Sequence, residues 1–298
     1  MVTNAELAPK LDTTPQWILD VSGIEQRRFA EDSETVADLA TAAARDCLRN
    51  ADLAAADIGM LVVASGSSER RFPGPAAGTA HGLGLGEGVP AIDLPMASAG
   101  SLFGLSLASR LASVYGNVLV VGAEKMSTVL LKEPLERGVA ALFGDGAGAC
   151  VVSARDGILR VVDSVLHSDG SFAEDLKLEF EATLAMNGRS VILQASRKIP
   201  AAISEVLARN RVAPADVEVF LMHQANQNLI IRIAKALGLE PDKFYSNIRE
   251  YGNTSSASML IAAAEWWSTG KIAAGRPVCF AAFGAGFHWG AVLAETQS

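Results

Sequence analysis

Long apolar runs are missing from this 298-residue chain, although half of it is hydrophobic and its mean hydropathy is +0.25. Gly, Asp and Arg interrupt every run before it reaches the roughly 18 residues of a membrane span. That excludes a spanning helix and assigns the apolar content to buried strands, buried helices and a subunit interface. A basic excess is missing as well. Lys and Arg number 25 against 33 Asp and Glu, a formal charge of −8, which argues against nucleic acid as the main partner. Cysteine is scarce: Cys47, Cys150 and Cys279 are the three, far apart and without a CxxC pair. Four scattered histidines do not complete a zinc spacing, so no metal site is expected. The thiols read as free and buried, in a reducing compartment. No charged region followed by an apolar one opens the chain, so a signal peptide is not expected and the location reads as cytoplasmic.

What is present is organised around Met96-Ala97-Ser98-Ala99-Gly100. Here a short apolar strand, Val89 to Leu94, meets a small-residue helix running from about Ser98 to Tyr115. A sharp turn between them puts the Ser98 hydroxyl at a helix N-terminus, where free N–H groups and the dipole favour negative charge. Such a side chain can be a buried cap or a nucleophile.

Upstream, Asn4 and Thr14 are candidate caps, Pro15 suits a first helical turn, and Trp17 is a core or surface-packing aromatic. Thr35 opens an amphipathic helix to about Asn50. Asp57 to Ala64 reads as a strand, and Pro75 to Leu83 as a second helix after a loop holding Arg70, Arg71 and Phe72. Asn117 to Val121 is a continuous apolar strand of the kind buried on both faces. A loop from Glu133 to Arg137 follows. FGDGAGA at Phe143 to Ala149 lacks phosphate-loop spacing and reads as backbone packed on backbone. Ala149 to Ser153 and Ile158 to Val165 look like a strand pair.

The second part repeats the theme. Ala195 to Asn210 is helical, Val217 to Met222 is a buried strand, and His223-Gln224-Ala225-Asn226 stands at its end. A helix covers Asn228 to Leu237, YGNTSSAS precedes another from about Ser256 to Thr269, and two apolar strands flank FGAGF. A buried strand ending in a polar residue before a helix occurs twice, at Ser98 and at His223. The order is consistent with two related α/β halves packed face to face, residues 1–155 and 156–298, with no linker. Ser98, His223 and Asn253 each lie where α/β folds place their sites. Spacing alone does not bring them together.

Nine segments in a fixed order, TTPQWI, SGIEQRR, AIDLPMASAG, ERG, FGDGAGA, HSDGS, MHQAN, YGNTSSAS and FGAGFHWG, resemble those of β-ketoacyl-acyl-carrier-protein synthase III, a thiolase-fold condensing enzyme. The likeness runs from Val2 to about Glu295. It implies a thiolase-like α/β fold of two pseudo-duplicated halves in α-β-α-β-α layers, each half with a five-stranded sheet, and a homodimer. The implied reaction is an acyl-coenzyme A primed decarboxylative condensation with malonyl-carrier protein, without a further cofactor. By motif, the catalytic positions are Ser98, His223 and Asn253, with the backbone of Ser98 and Ala285 as the oxyanion hole. Trp17 and Arg137 flank the coenzyme A adenine and Asn226 hydrogen-bonds the coenzyme. Phe143 walls the acyl pocket, and Phe72 enters the neighbour's pocket across the dimer.

The departures from the family pattern are specific. Ser98 stands where the family has cysteine. A helix terminus ionises a thiol whose pKa starts near ~8.5, but not an alcohol. Ser98 therefore needs a base, and His223 is the evident one. Three readings stay open: an engineered replacement that blocks acylation, a natural serine in a starter-loading or ester-forming acyltransferase, and a non-catalytic partner subunit. Ala285 replaces a glycine, so its loop is helical, extended or strained. Val21 and Asn228 replace arginines, which thins the basic patch for an acidic carrier. The chain begins at a segment that an apolar strand usually precedes, so the first sheet is expected to lack one strand and to expose an edge.

Overall fold

The computed structural model describes residues 1–131, 135–270 and 272–297. Glu133 and Pro134 of the loop before Arg137 lie outside them. At the start, β1 (Val2–Thr3) pairs antiparallel with β2 (Gln26–Arg27) around two helices, α1 (Asn4–Leu7) and α2 (Pro15–Ser22). Thr14 caps α2 by accepting the Trp17 N–H. Asn4 is not a cap. Thr3 takes that role, and the buried Asn4 amide donates to Ile24 O at 2.7 Å. Thr35 and Asp38 form a capping box that starts α3 (Val36–Asn50), whose apolar stripe packs on the first sheet.

The first sheet has the order β4-β3-β5-β6, built from β3 (Met60–Ala64), β4 (Ala91–Leu94), β5 (Asn117–Glu124) and β6 (Gly146–Ser153). β3 pairs parallel with both β4 and β5, and β6 runs antiparallel to β5. Every residue of β3 is buried, as expected of a parallel strand covered on both faces. Among the described residues this sheet has four strands, against the five of the second sheet, and β6 pairs with β5 on one side. The connecting helices are α4 (Pro75–Leu83), α5 (Gly100–Tyr115), and the short α6 (Ser127–Leu130) and α7 (Arg137–Ala140).

The second sheet has the order β11-β10-β12-β13-β7. Its strands are β7 (Leu159–Ser168), β10 (Val219–Met222), β11 (Phe244–Tyr245), β12 (Pro277–Gly284) and β13 (His288–Thr296), and a separate ribbon pairs β8 (Leu176–Lys177) with β9 (Ala185–Met186). Its helices are α8 (Gly188–Arg209), α9 (Gln227–Ala236), the short α10 (Ile248–Tyr251) and α11 (Ser258–Ser268). β6 and β7, expected as a pair, belong to different sheets: β6 bonds β5, and β7 bonds β13. The short link between them carries the chain from one sheet to the other.

Five layers result. Val36, Ala40, Ala44 and Leu48 of α3 cover the outer face of the first sheet, and Ala195, Ile199, Ile203 and Ile233 of α8 and α9 cover the outer face of the second. Between the sheets lie α5 and α11. Ala108 and Ala112 of α5 pack on Val62 and Val120, while Leu102 and Leu105 pack on Leu221, Phe280 and Val292. The small residues of both helices allow two sheets to close on one helical layer. FGDGAGA serves that packing: a Cβ on Gly148 would stand 2.9 Å from the Ile261 N of α11. Burial pushes the Cys279 thiol up to about 12, which suits an inert core cysteine. Among the described residues no helix is long and apolar enough to cross a membrane.

Candidate active site

The pseudo-symmetry fixes which loops meet. Sheet order matches β3 with β10, β4 with β11 and β5 with β12. Ser98 and His223 therefore end non-equivalent strands, contrary to the reading that paired them. The counterpart of the Ser98 turn is the stretch Gly252–Ala257 before α11, which holds Asn253. The two turns face each other at the centre of the helical layer.

Ser98 lies two residues before α5, in the left-handed region at φ +66, and Ala99 is the N-cap residue, with no side-chain capping bond. The hydroxyl is thus not a cap, as the first reading allowed, and it is free of the helix ladder. Its backbone N–H donates to Ser255 Oγ at 2.9 Å, and its own Oγ lies 3.4 Å from the same oxygen. Gly284, at the end of β12, presses on the turn from the other side. A Cβ there would stand 2.0 Å from Ala97 O and 2.7 Å from Ala99 N. Ala285 follows in a turn, outside the positive-φ region, so alanine carries no left-handed strain at that position.

Ser98, His223 and Asn253 line one cavity together with Leu142, Phe143, Phe283 and residues of α8 and α9. Phe143 is set there by a bridge to Asn253, with Gly144 N–H donating to Asn253 O at 3.0 Å and Asn253 N–H to Leu142 O at 2.9 Å. The Asn253 amide has a fixed orientation. Its Oδ1 accepts the Ser255 N–H at 2.9 Å, which leaves the NH₂ for the cavity.

His223 Nδ1 lies 2.7 Å from Ser258 Oγ, which leaves Nε2 as the ring nitrogen for the cavity. Ser258 Oγ accepts the Gln224 N–H at 3.0 Å and lies 3.0 Å from Ser255 O. Its single proton can go to Nδ1, making Nε2 a donor, or to Ser255 O, making Nε2 an acceptor. Burial pushes the imidazole down to about 4, opposed by a hydrogen bond to the Ser255 backbone, so the ring is neutral at physiological pH.

The other expected residues fall in two groups. Asn226 lines the cavity, but as the N-cap of α9 its Oδ1 accepts from Asn228 N, and its Nδ2 donates to Val21 O at 2.8 Å. One amide proton remains for a ligand. Arg137 lies over Trp17 at 4.9 Å, outside the cavity lining. That contact leaves no gap for a further ring between the guanidinium and the indole. Phe72 is 84% exposed and lines no part of its own chain's cavity. Val21 and Asn228 adjoin, with Asn228 Nδ2 donating to Asp20 O at 3.1 Å, and neither brings positive charge to that spot.

The sequence reading missed Ser255, Ser258 and Glu124. The serines stand inside YGNTSSAS and could have been found as hydroxyls flanking Asn253. Glu124 ends the buried apolar strand β5, a position with no distinctive signal in the sequence. It is fully buried, and its two oxygens accept from Gly66 N, Ser256 N, Ser65 Oγ, Ser67 Oγ and Ser255 Oγ, the last at 2.8 Å.

Comparisons with known proteins bear on the family and the fold. A family model described as 3-oxoacyl-[acyl-carrier-protein (ACP)] synthase III matches residues 92–170, and its C-terminal counterpart matches residues 207–296. Beta-ketoacyl-[acyl-carrier-protein] synthase III of Oleidesulfovibrio alaskensis is 36% identical over 316 residues, covering 99% of this chain and 95% of that protein. The same-named protein of Thiobacillus denitrificans is 37% identical, covering 98% and 94%. The crystal structure of 3-oxoacyl-[acyl-carrier-protein] synthase III from Aquifex aeolicus superposes with a TM-score of 0.93 at 34% identity, covering 99% of this chain and 95% of that one. With both models matched and full-length relatives above 30% identity, the chain belongs to the β-ketoacyl-acyl-carrier-protein synthase III family.

Proposed function

We propose that the protein is an acyltransferase that condenses an acyl group from acyl-coenzyme A with malonyl-carrier protein, with Ser98 as the acyl-accepting residue. The observation that carries this is the convergence of Ser98, His223 and Asn253 on one cavity. Ser98 Oγ attacks the thioester carbonyl and the coenzyme leaves as thiolate. The malonyl carboxylate then departs as carbon dioxide. The NH₂ of Asn253 and Nε2–H of neutral His223 donate to the thioester oxygen as it gains charge. The enolate carbon attacks the Ser98 ester and frees the hydroxyl.

Trp17 and Arg137 hold the adenine of coenzyme A and Asn226 its pantetheine arm, while Phe143 walls the acyl chain. The backbone N–H of Ala285 is the remaining oxyanion-hole donor, because the expected second one, the Ser98 N–H, is engaged by Ser255 Oγ at 2.9 Å. No further cofactor enters the reaction. Residues 1–155 and 156–298 act as the two halves that bring these groups together. The protein works as a homodimer in the cytoplasm. The free edge of β4, with Ile92 45% exposed, and the exposed Phe72 support the dimer reading.

Incubation with acyl-coenzyme A and measurement of intact mass tests the proposal. An acyl adduct that Ser98→Ala abolishes is the expected result. An adduct from Ser98→Cys alone makes Ser98 a blocked nucleophile. None from either identifies a non-catalytic partner subunit.

A further inference from the structure

An acyl-accepting serine must lose its proton to something. His223 is the evident base, yet the condensation half-reaction uses its Nε2–H as a donor. In the structure the described partner of the Ser98 hydroxyl is Ser255, not His223. The polarity of that contact is fixed by chemistry. Ser255 donates its own proton to Glu124 Oε1 at 2.8 Å, so its oxygen can only accept from Ser98. It already accepts the Ser98 N–H at 2.9 Å. Ser255 holds this place at φ +47, a conformation a serine adopts only when its surroundings impose it. Glu124 has no contact with solvent, and the acyl-transfer scheme gives it no other task.

We propose that Ser98, Ser255 and Glu124 form a proton relay that activates Ser98 for acylation. It rests on the acyl-transfer reading above. As Ser98 Oγ bonds to the thioester carbon, its proton passes to Ser255 Oγ and the Ser255 proton passes to Glu124. The C–S bond breaks, and the coenzyme thiolate later takes a proton from water. When the enolate displaces Ser98 from the ester, the relay runs backward, so Glu124 returns the proton and the cycle closes. The Ser98 to Ser255 distance of 3.4 Å is long for a hydroxyl pair. Such contacts shorten as the reacting complex assembles. Directing the Ser98 proton at Ser255 also leaves the oxygen lone pairs for the cavity. Glu124 and Ser255 are then positioning residues whose effect depends on the nucleophile being an alcohol.

That dependence supplies the test. Acylation rates by intact mass are measured for the native protein, Glu124→Gln and Ser255→Gly, then again with Ser98→Cys added to each. Glycine tolerates the positive φ, so Ser255→Gly removes the hydroxyl without imposing strain. Loss of a general base costs about 100-fold or more. A thiol at a helix terminus ionises without one. The expected result is a loss of about 100-fold in the serine proteins and one at least about tenfold smaller in the S98C background. Equal losses in both backgrounds make the network structural and overturn the relay. So does unchanged acylation of Ser98 in both variants. Acylation of the S98C protein but not the native one overturns the relay while leaving the condensing reading intact. Failure of both overturns the two together.

Discussion

The backbone N–H of Ser98 donates to Ser255 Oγ at 2.9 Å, across 157 positions of sequence. This bond ties the turn before α5 to the turn before α11, the two pseudo-equivalent loops of the fold. Docking the halves through α5 and α11 brings the loops nose to nose and creates the site. The placement of Ser98 is therefore set where the two turns meet, and it is sensitive to changes well away from Ser98.

Gly284→Ala is the sharpest such change. Its Cβ would stand 2.0 Å from Ala97 O, a backbone atom that cannot move without carrying Ser98 along. We expect destabilisation of about 1–3 kcal/mol, the usual cost of overpacking, and loss of acylation by at least about tenfold, since small misplacements of reacting groups are costly. Denaturant midpoints and the rate of adduct formation measure the two effects separately. A variant with native acylation would show that the turn is not held by Gly284.

Trp17→Ala should discriminate between substrates. The Trp17 and Arg137 pair lies outside the cavity lining, so removing it leaves acyl-transfer geometry intact. The KM for acyl-coenzyme A should rise by about twofold to tenfold, in line with about 0.5–1.5 kcal/mol for the stacking of one aromatic ring on another. Acyl-pantetheine, which lacks the adenine, should be used equally by both proteins. A matching loss with acyl-pantetheine would assign Trp17 to folding instead.

Much of the architecture was legible from local signals. Thr35 with Asp38 announces α3, and the unbroken run NVLVV announces a strand buried on both faces. Partnerships between elements were not legible. Strands Ala149–Ser153 and Ile158–Val165 are close in sequence and alternate alike, yet a few link residues send them to different sheets. Three positions that line the cavity, Ser98, His223 and Asn253, were readable from their motifs. Glu124 was not singled out because a carboxylate at a strand end is unremarkable until five donors are seen around it. Nothing local to Arg137 tells that its guanidinium closes over Trp17, because that contact joins residues far apart in sequence.

The four-stranded first sheet makes a prediction about β6. Val118, Val120 and Gly122 of β5 bond inward-facing Val152, Cys150 and Gly148. By alternation the amides of Ala149, Val151 and Ser153 point to the open edge, where the Val151 N–H meets the Cys47 thiol. The corresponding edge of β13 is closed by β7. In native-state hydrogen exchange, Ala149 and Ser153 should exchange faster than Cys150 and Val152, whereas β13 should show no such alternation. Uniform protection along β6 would mean that another strand covers it in solution.

The buried His223 predicts a pH signature in stability. Burial pushes its imidazole down to about 4, against a reference near 6.5 in the unfolded chain. Between those values the unfolded chain holds a proton that the folded chain does not. Stability attributable to this residue is therefore complete above about pH 6.5 and falls as pH drops toward 4, by up to about 3 kcal/mol. Carboxylates also titrate in this window, so the comparison has to be with His223→Gln, which removes the imidazole alone. Denaturant midpoints at pH 7 and pH 4.5 should converge more closely in the variant than in the native protein. Equal falls in both would mean that His223 takes up its proton in the folded state. Its pKa would then stay near the reference of about 6.5, and burial could no longer be named as what keeps the ring neutral.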